Sequence, residues 1–129
     1  MTHHSRTFTK EALTILVRRS DTDASMTWLG ESDSRNPSEF LNPIVTQLAS
    51  ELSGLPVTID LTRLSYMNSA TVAPLIACIK SLDMSAPAVH VLFSDADWQR
   101  THVQCLRTIS RKLKGVRIEV VSPGSSATR

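Results

Sequence analysis

Residues 57–71 read VTIDLTRLSYMNSAT, and the change of character along this stretch decides how the chain folds. Val57, Ile59 and Leu61 are apolar, with Thr58 and Asp60 between them. That short, largely apolar pattern is the mark of a strand buried in a sheet. The run then gives way to Asn68 and Ser69, residues whose side-chain oxygens cap helices by accepting from free backbone N–H groups. Beyond them Val72, Leu75, Ile76, Ile79 and Leu82 recur at helical spacing. Pro74 lies close enough to the start to imply no more than a distorted first turn.

The same alternation of periods continues on both sides. Downstream, residues 89–93 read as a second buried strand, and Asp95 and Asp97 open a helix with Trp98, His102, Leu106, Ile109 and Leu113 as its inward stripe. Gly115 closes that helix and residues 116–121 form the last strand. Upstream, residues 8–19 read as a strand through Leu13, Ile15 and Val17, and residues 24–30 return as the second arm of a hairpin after the turn SDTD at 20–23. Asn36, Pro37 and Glu39 form a helix start of cap, first-turn proline and capping-box acid. Phe40, Ile44 and Leu48 then follow at helical spacing, with Pro43 shifting the start to Asn42 or leaving an irregular first turn. Gly54 ends this helix. Strands alternating with helices call for an α/β fold with a mixed sheet and right-handed crossovers. A single domain over residues 8–121 is expected, with residues 1–7 and 122–129 as flexible ends.

Composition excludes several classes. The 129 residues suit one domain, and 41% hydrophobic against 20% charged residues suffices for one core. With 5% aromatics, that core is built of Leu, Ile, Val and Ala. A net charge of +2 announces neither nucleic acid nor a membrane as partner, and no apolar run reaches the length of a membrane span. Cys78 and Cys105 are far apart and show no metal-ligand spacing, so both are expected to be buried free thiols of a cytoplasmic protein. No cofactor is implied.

Catalytic motifs are missing as well. The four glycines, Gly30, Gly54, Gly115 and Gly124, spell no phosphate-binding loop. A phosphorylation-dependent receiver domain needs an acidic pair after its first strand, where this chain has Arg18 and Arg19. A small enzyme would require Asp60, His90 and His102 to converge, and Asp60 is as well explained as an acceptor for loop hydrogen bonds. The helix carrying Arg100, Arg107, Arg111, Lys112 and Lys114 has its bases toward the end that a helix dipole favours. The same charges would also suit an acidic partner.

Two motifs in fixed order carry more. Gly30-Glu31-Ser32 is followed by Asn36-Pro37-Ser38-Glu39-Phe40 and Pro43, and then by Tyr66-Met67-Asn68-Ser69 after the VTIDL strand. The strand and loop resemble those of STAS domains, the fold of anti-sigma factor antagonists. The pair of motifs is similar to the SiaC-like regulatory phosphoproteins, a divergent STAS-related group linked to biofilm signalling. The resemblance spans residues 24–121 and implies a STAS-like domain with an N-terminal hairpin and helices mainly on one face. It further implies a partner-switching regulator without catalytic activity. Its partners would be a protein kinase, a phosphatase, and an effector such as a diguanylate cyclase or an anti-sigma factor.

The resemblance also places the switch. Antagonists of this kind usually carry Asp-Ser-[Ser/Thr]-Gly with the acceptor third, but here Asn68 replaces the aspartate and Ala70 occupies the acceptor place. The SiaC-like pattern puts the acceptor directly after the asparagine, on Ser69, with Thr71 as second candidate. A phosphate there adds about 1.5–2 negative charges at a helix start. The expected contact surface comprises Glu31, Asn36, Tyr66, Met67, Asn68, Ser69 and Thr71. If neither hydroxyl is modified, the alternatives are a constitutive binder or a nucleotide or ligand sensor.

Overall fold

The computed structural model of the chain describes residues 4–113 and 115–121, and the expected flexible segments 1–3 and 122–129 lie outside them. The described residues form seven strands and three helices. In chain order these are β1 (His4–Lys10), β2 (Leu13–Arg19), β3 (Ala24–Ser32), α1 (Ser38–Glu51), β4 (Val57–Asp60), β5 (Leu64–Met67), a 3-10 turn (Ser69–Thr71), α2 (Val72–Ser85), β6 (Val89–Ser94), α3 (Asp97–Ser110) and β7 (Val116–Val121). The strands lie in one mixed sheet ordered β1-β2-β3-β4-β6-β7, with β5 on β3. β1, β2 and β3 pair antiparallel, and every pairing from β3 onward is parallel.

β3 is shared between two partners. Residues 24–27 pair with β4, and Gly30, Glu31 and Ser32 pair with Leu64, Tyr66 and Met67 of β5. At Gly30 the register shifts, and the backbone takes φ +87°. A side chain there would also collide with β2's approach, because a Cβ would stand 2.0 Å from the Ala12 carbonyl oxygen. Glycine is required at this position on both counts.

The core lies on one face of the sheet. Val17, Met26, Ile59 and Val91 are in register across β2, β3, β4 and β6 and are buried. Leu41, Ile44, Val45 and Leu48 of α1, Leu75, Ile79 and Leu82 of α2, and Val103 and Leu106 of α3 join the same cluster. All three helices therefore cover one face, and the other, carrying Thr14, Leu16, Thr27, Thr58 and His90, is half-exposed. Pro43 sits inside α1, exposed, without moving its start. The interior proline costs about 3 kcal/mol. Four buried aliphatic side chains, each stabilising by about 1.5–3 kcal/mol, outweigh it.

Three expectations need correction. Residues 8–19 are a hairpin of β1 and β2, not one strand, and the pairing begins at His4, within the segment expected to be flexible. Its turn contains no glycine, because Glu11 itself adopts φ 55°. β5, four residues long, was expected as loop. On α3 the inward stripe is Gln99, Val103 and Leu106, with His102 only half-buried. Cys105 is consequently exposed, while Cys78 is buried and its thiol is pushed up to about 12 by burial. The side chain of Trp98, also assigned to the stripe, lies outside the described residues.

Candidate functional site at the Ser69 end of the sheet

The parallel strands deliver two polar loops to one end of the sheet. One follows β3 and leads through Ser34 to α1; the other follows β5 and leads through Asn68 to α2. They are joined from beneath. The Asn68 backbone N–H donates to the Ser32 carbonyl at 2.9 Å, continuing the β3–β5 ladder one residue past its end. Thr71 is completely buried, and its hydroxyl lies 2.7 Å from the Ser32 hydroxyl and donates to Asn68 Oδ1 at 2.7 Å. A hydroxyl has one proton to give, so the Ser32 hydroxyl is the donor to Thr71.

Asn68 completes the relay. Its Oδ1 also accepts from the Thr71 backbone N–H at 3.1 Å, the cap of the 3-10 turn, and its Nδ2 donates to the Ser34 carbonyl at 2.9 Å. The chain of bonds runs from Ser32 through Thr71 and Asn68 to Ser34 and crosses from one loop to the other. Buried polar groups joined in this way hold one geometry, since any break leaves a desolvated donor or acceptor unpaired. Ser65 adds a further tie, its hydroxyl donating to the Gly30 carbonyl at 2.8 Å.

Above this relay stands Ser69, the first residue of the 3-10 turn, which is exposed together with Ala70. Tyr66 is exposed, unlike the described Phe and Trp side chains, and its strand position is opposite Glu31. Glu31 and Asn36 line a shallow depression with Lys10 and Glu11 of the β1–β2 turn and Phe40 of α1. Asn36 Nδ2 donates to Glu39 Oε1 at 3.0 Å. The expected Asn36 cap is corrected: Pro37 takes the cap position without a side-chain cap bond, and Asn36 serves the helix start through its backbone carbonyl, which accepts from the Glu39 N–H at 3.2 Å. The structure thus brings Glu31, Asn36, Tyr66 and Ser69 to one end of the molecule, half-buried Asn68 beside them. Met67 and Thr71 are corrected: both are buried under this surface and contribute no contact area to it. The β1–β2 turn was missed, because nothing in Lys10-Glu11-Ala12 signals a turn.

Asp60, His90 and His102 do not converge on one point. Asp60 Oδ1 accepts from the backbone and hydroxyl of Thr62 at 2.9 and 2.6 Å, and His90 pairs with Glu119 at 2.8 Å. Both project from the open face, whereas His102 is on α3 across the sheet. Among the described residues, no three His, Cys, Asp or Glu side chains are placed to hold a metal ion. Nor is any described helix long and apolar enough to cross a membrane.

Solved structures share the fold. An anti-sigma factor antagonist from Mycobacterium paratuberculosis matches with a TM-score of 0.65 at 16% identity, covering 94% of this chain and 96% of that one. The fold is STAS-like. SiaC of Pseudomonas aeruginosa matches with a TM-score of 0.62 at 12% identity over 92% of this chain and 98% of that one. A chain in the crystal structure of the diguanylate cyclase SiaD in complex with its activator SiaC, also from Pseudomonas aeruginosa, matches with a TM-score of 0.59 at 12% identity, over 90% and 99% of the two chains. No protein-family model and no curated protein sequence matches the chain. The STAS-like, mixed-sheet architecture expected from the two motifs is therefore the one observed.

Proposed function

We propose that this chain is a regulatory partner-switching module of the cytoplasm, not an enzyme, and that phosphorylation of Ser69 is its switch. The observation that carries the reading is the contrast between two hydroxyls two positions apart. Ser69 is exposed on the contact surface, while Thr71 is fully buried with its hydroxyl engaged twice. A kinase needs an accessible acceptor, and phosphate on Thr71 would require breaking the relay beneath the loop. On Ser69 the new dianion would stand beside Tyr66 and oppose a partner that covers this end with an apolar or acidic face. The fold beneath would be undisturbed.

The structural likenesses support the setting: an anti-sigma factor antagonist and an activator of a diguanylate cyclase share the fold. The proposed partners are a kinase, a phosphatase and an effector of one of these two classes, which binds one phosphorylation state. Mass spectrometry of the chain from its native host should find phosphate on Ser69 and none on Thr71. Ser69→Asp should weaken effector binding at least tenfold with an unchanged circular dichroism spectrum, and Ser69→Ala should bind normally. Phosphate on Thr71 or on neither residue, or effector binding indifferent to Ser69→Asp, would overturn the proposal.

A further inference from the structure

At the opposite end of the sheet the open face carries a row of side chains that the Ser69 surface does not use. Strand register sets Ser5, Arg18, Ser25, Thr58, His90 and Arg117 side by side across β1, β2, β3, β4, β6 and β7. Each can donate hydrogen bonds, and none is acidic or aliphatic. The neighbouring row on the same face, Thr7, Leu16, Thr27, Asp60, Leu92 and Glu119, is mixed in character. His90 is occupied by Glu119 at 2.8 Å. Arg18, by contrast, is exposed and has no carboxylate partner among the described residues.

A groove of about 480 Å³ opens beside Arg18, lined by Ser5, Ser25 and Thr58 and bounded by the β2–β3 turn. The Ser25 and Thr58 hydroxyls, half-buried, have no hydrogen-bond partner among the described residues. Adjacent strands are about 4.8 Å apart, a spacing that lets both hydroxyls donate to one tetrahedral oxyanion. Asp23, the acid on the groove wall, already accepts from the Ser20 hydroxyl at 2.9 Å. Arg19 contributes a second positive charge at the rim, although part of its field acts on Glu51.

We propose that this groove binds a small ligand through a phosphate-type oxyanion, with Arg18 supplying the charge and Ser25 and Thr58 the oriented donors. A guanidinium paired with fixed hydroxyls is the donor set that suits phosphate oxygens. The inference does not rest on the reading of Ser69, which lies at the other end of β3.

Amide NMR titration of the full chain with glycerol 3-phosphate, at constant ionic strength against chloride, tests it. Saturable shifts confined to Ser5, Arg18, Ser25 and Thr58 are expected. Arg18→Gln should weaken the apparent affinity at least tenfold, Thr58→Val about threefold, and Arg18→Lys less than threefold. Ser69→Asp should titrate as the unaltered chain does. Vesicles of phosphatidylglycerol, with phosphatidylcholine as control, form a second arm. Arg18-dependent sedimentation with them, in the absence of saturation by the soluble phosphate, assigns the oxyanion to a lipid headgroup. No saturable, Arg18-dependent response in either arm, or shifts that chloride reproduces, overturns the proposal.

Discussion

Helices α2 and α3 are each 14 residues long and each follows a parallel strand at the same end of the sheet. Both starts are organised around one fully buried polar side chain, Thr71 before α2 and Gln99 in α3. Gln99 spends its amide on the strands. Its Oε1 accepts from the Ser94 N–H at 2.6 Å, and its Nε2 donates to the carbonyls of Leu61 and Leu64 at 3.0 and 3.2 Å. Thr71 instead joins side chains of two loops and leaves Ser69 exposed above it. One start is locked to the sheet. The other is held from below, and its upper surface is exposed.

The comparison can be broken at several points. The largest effect is expected for Gln99→Leu, which removes the partner of the Ser94 N–H and one donor each from the Leu61 and Leu64 carbonyls, Leu61 keeping the Leu64 N–H, and should cost about 2–3 kcal/mol in urea unfolding. A loss under 1 kcal/mol would mean that Gln99 does not lock α3. Thr71→Val keeps the shape but removes the relay, at a cost of about 1–2 kcal/mol. It should also speed amide exchange over residues 68–71, and unchanged exchange there would remove Thr71 as the holder of the loop.

The two thiols sharpen the contrast between the helices. Cys78 of α2 is buried and Cys105 of α3 exposed, so a thiol reagent should label Cys105 alone until the chain unfolds. The Cys78 thiol is raised by burial from 9.0 to about 12. The unfolded chain then releases this proton above pH 9 while the folded chain retains it, so stability falls between these two values. At pH 10 the loss should be about 1.4 kcal/mol beyond that of Cys78→Ala, and equal alkaline losses in both chains would contradict the buried placement. The smallest effect belongs to Ser69→Asp, an exposed change expected to alter unfolding free energy by less than about 0.5 kcal/mol. A larger shift would show that Ser69 is part of the scaffold.

Sequence alone revealed much of this fold where periodicity and punctuation agree. The strands β4, β6 and β7 show in their apolar patterns and the helices between them in residues recurring at helical spacing, with Asn68 capping the turn that leads into α2. The β1–β2 hairpin was hidden because Glu11 takes a left-handed conformation usually left to glycine or asparagine. β5 was hidden because only its two end residues, Leu64 and Met67, are buried, which shows no alternation to read. Gln99 was passed over because a stripe drawn by residue type excludes a glutamine and takes His102, one position before the buried Val103, in its place. Of the candidate site, the loop and Ser69 were legible through the order of two motifs. The burial of Thr71 was not, since a threonine serves equally as an exposed acceptor or a buried link until its neighbour Ser32 is placed.

Gly30 sets a limit on how far a sequence of this shape can drift. At 12–16% identity, most side chains differ between this chain and the solved structures it resembles. Position 30 has no such freedom while the hairpin stays docked, because even a methyl group would occupy the space of the Ala12 carbonyl. Within this chain, the register of β3 against β2 and β5 is therefore anchored at Gly30. The choice of residue there is made by geometry and leaves descent no say.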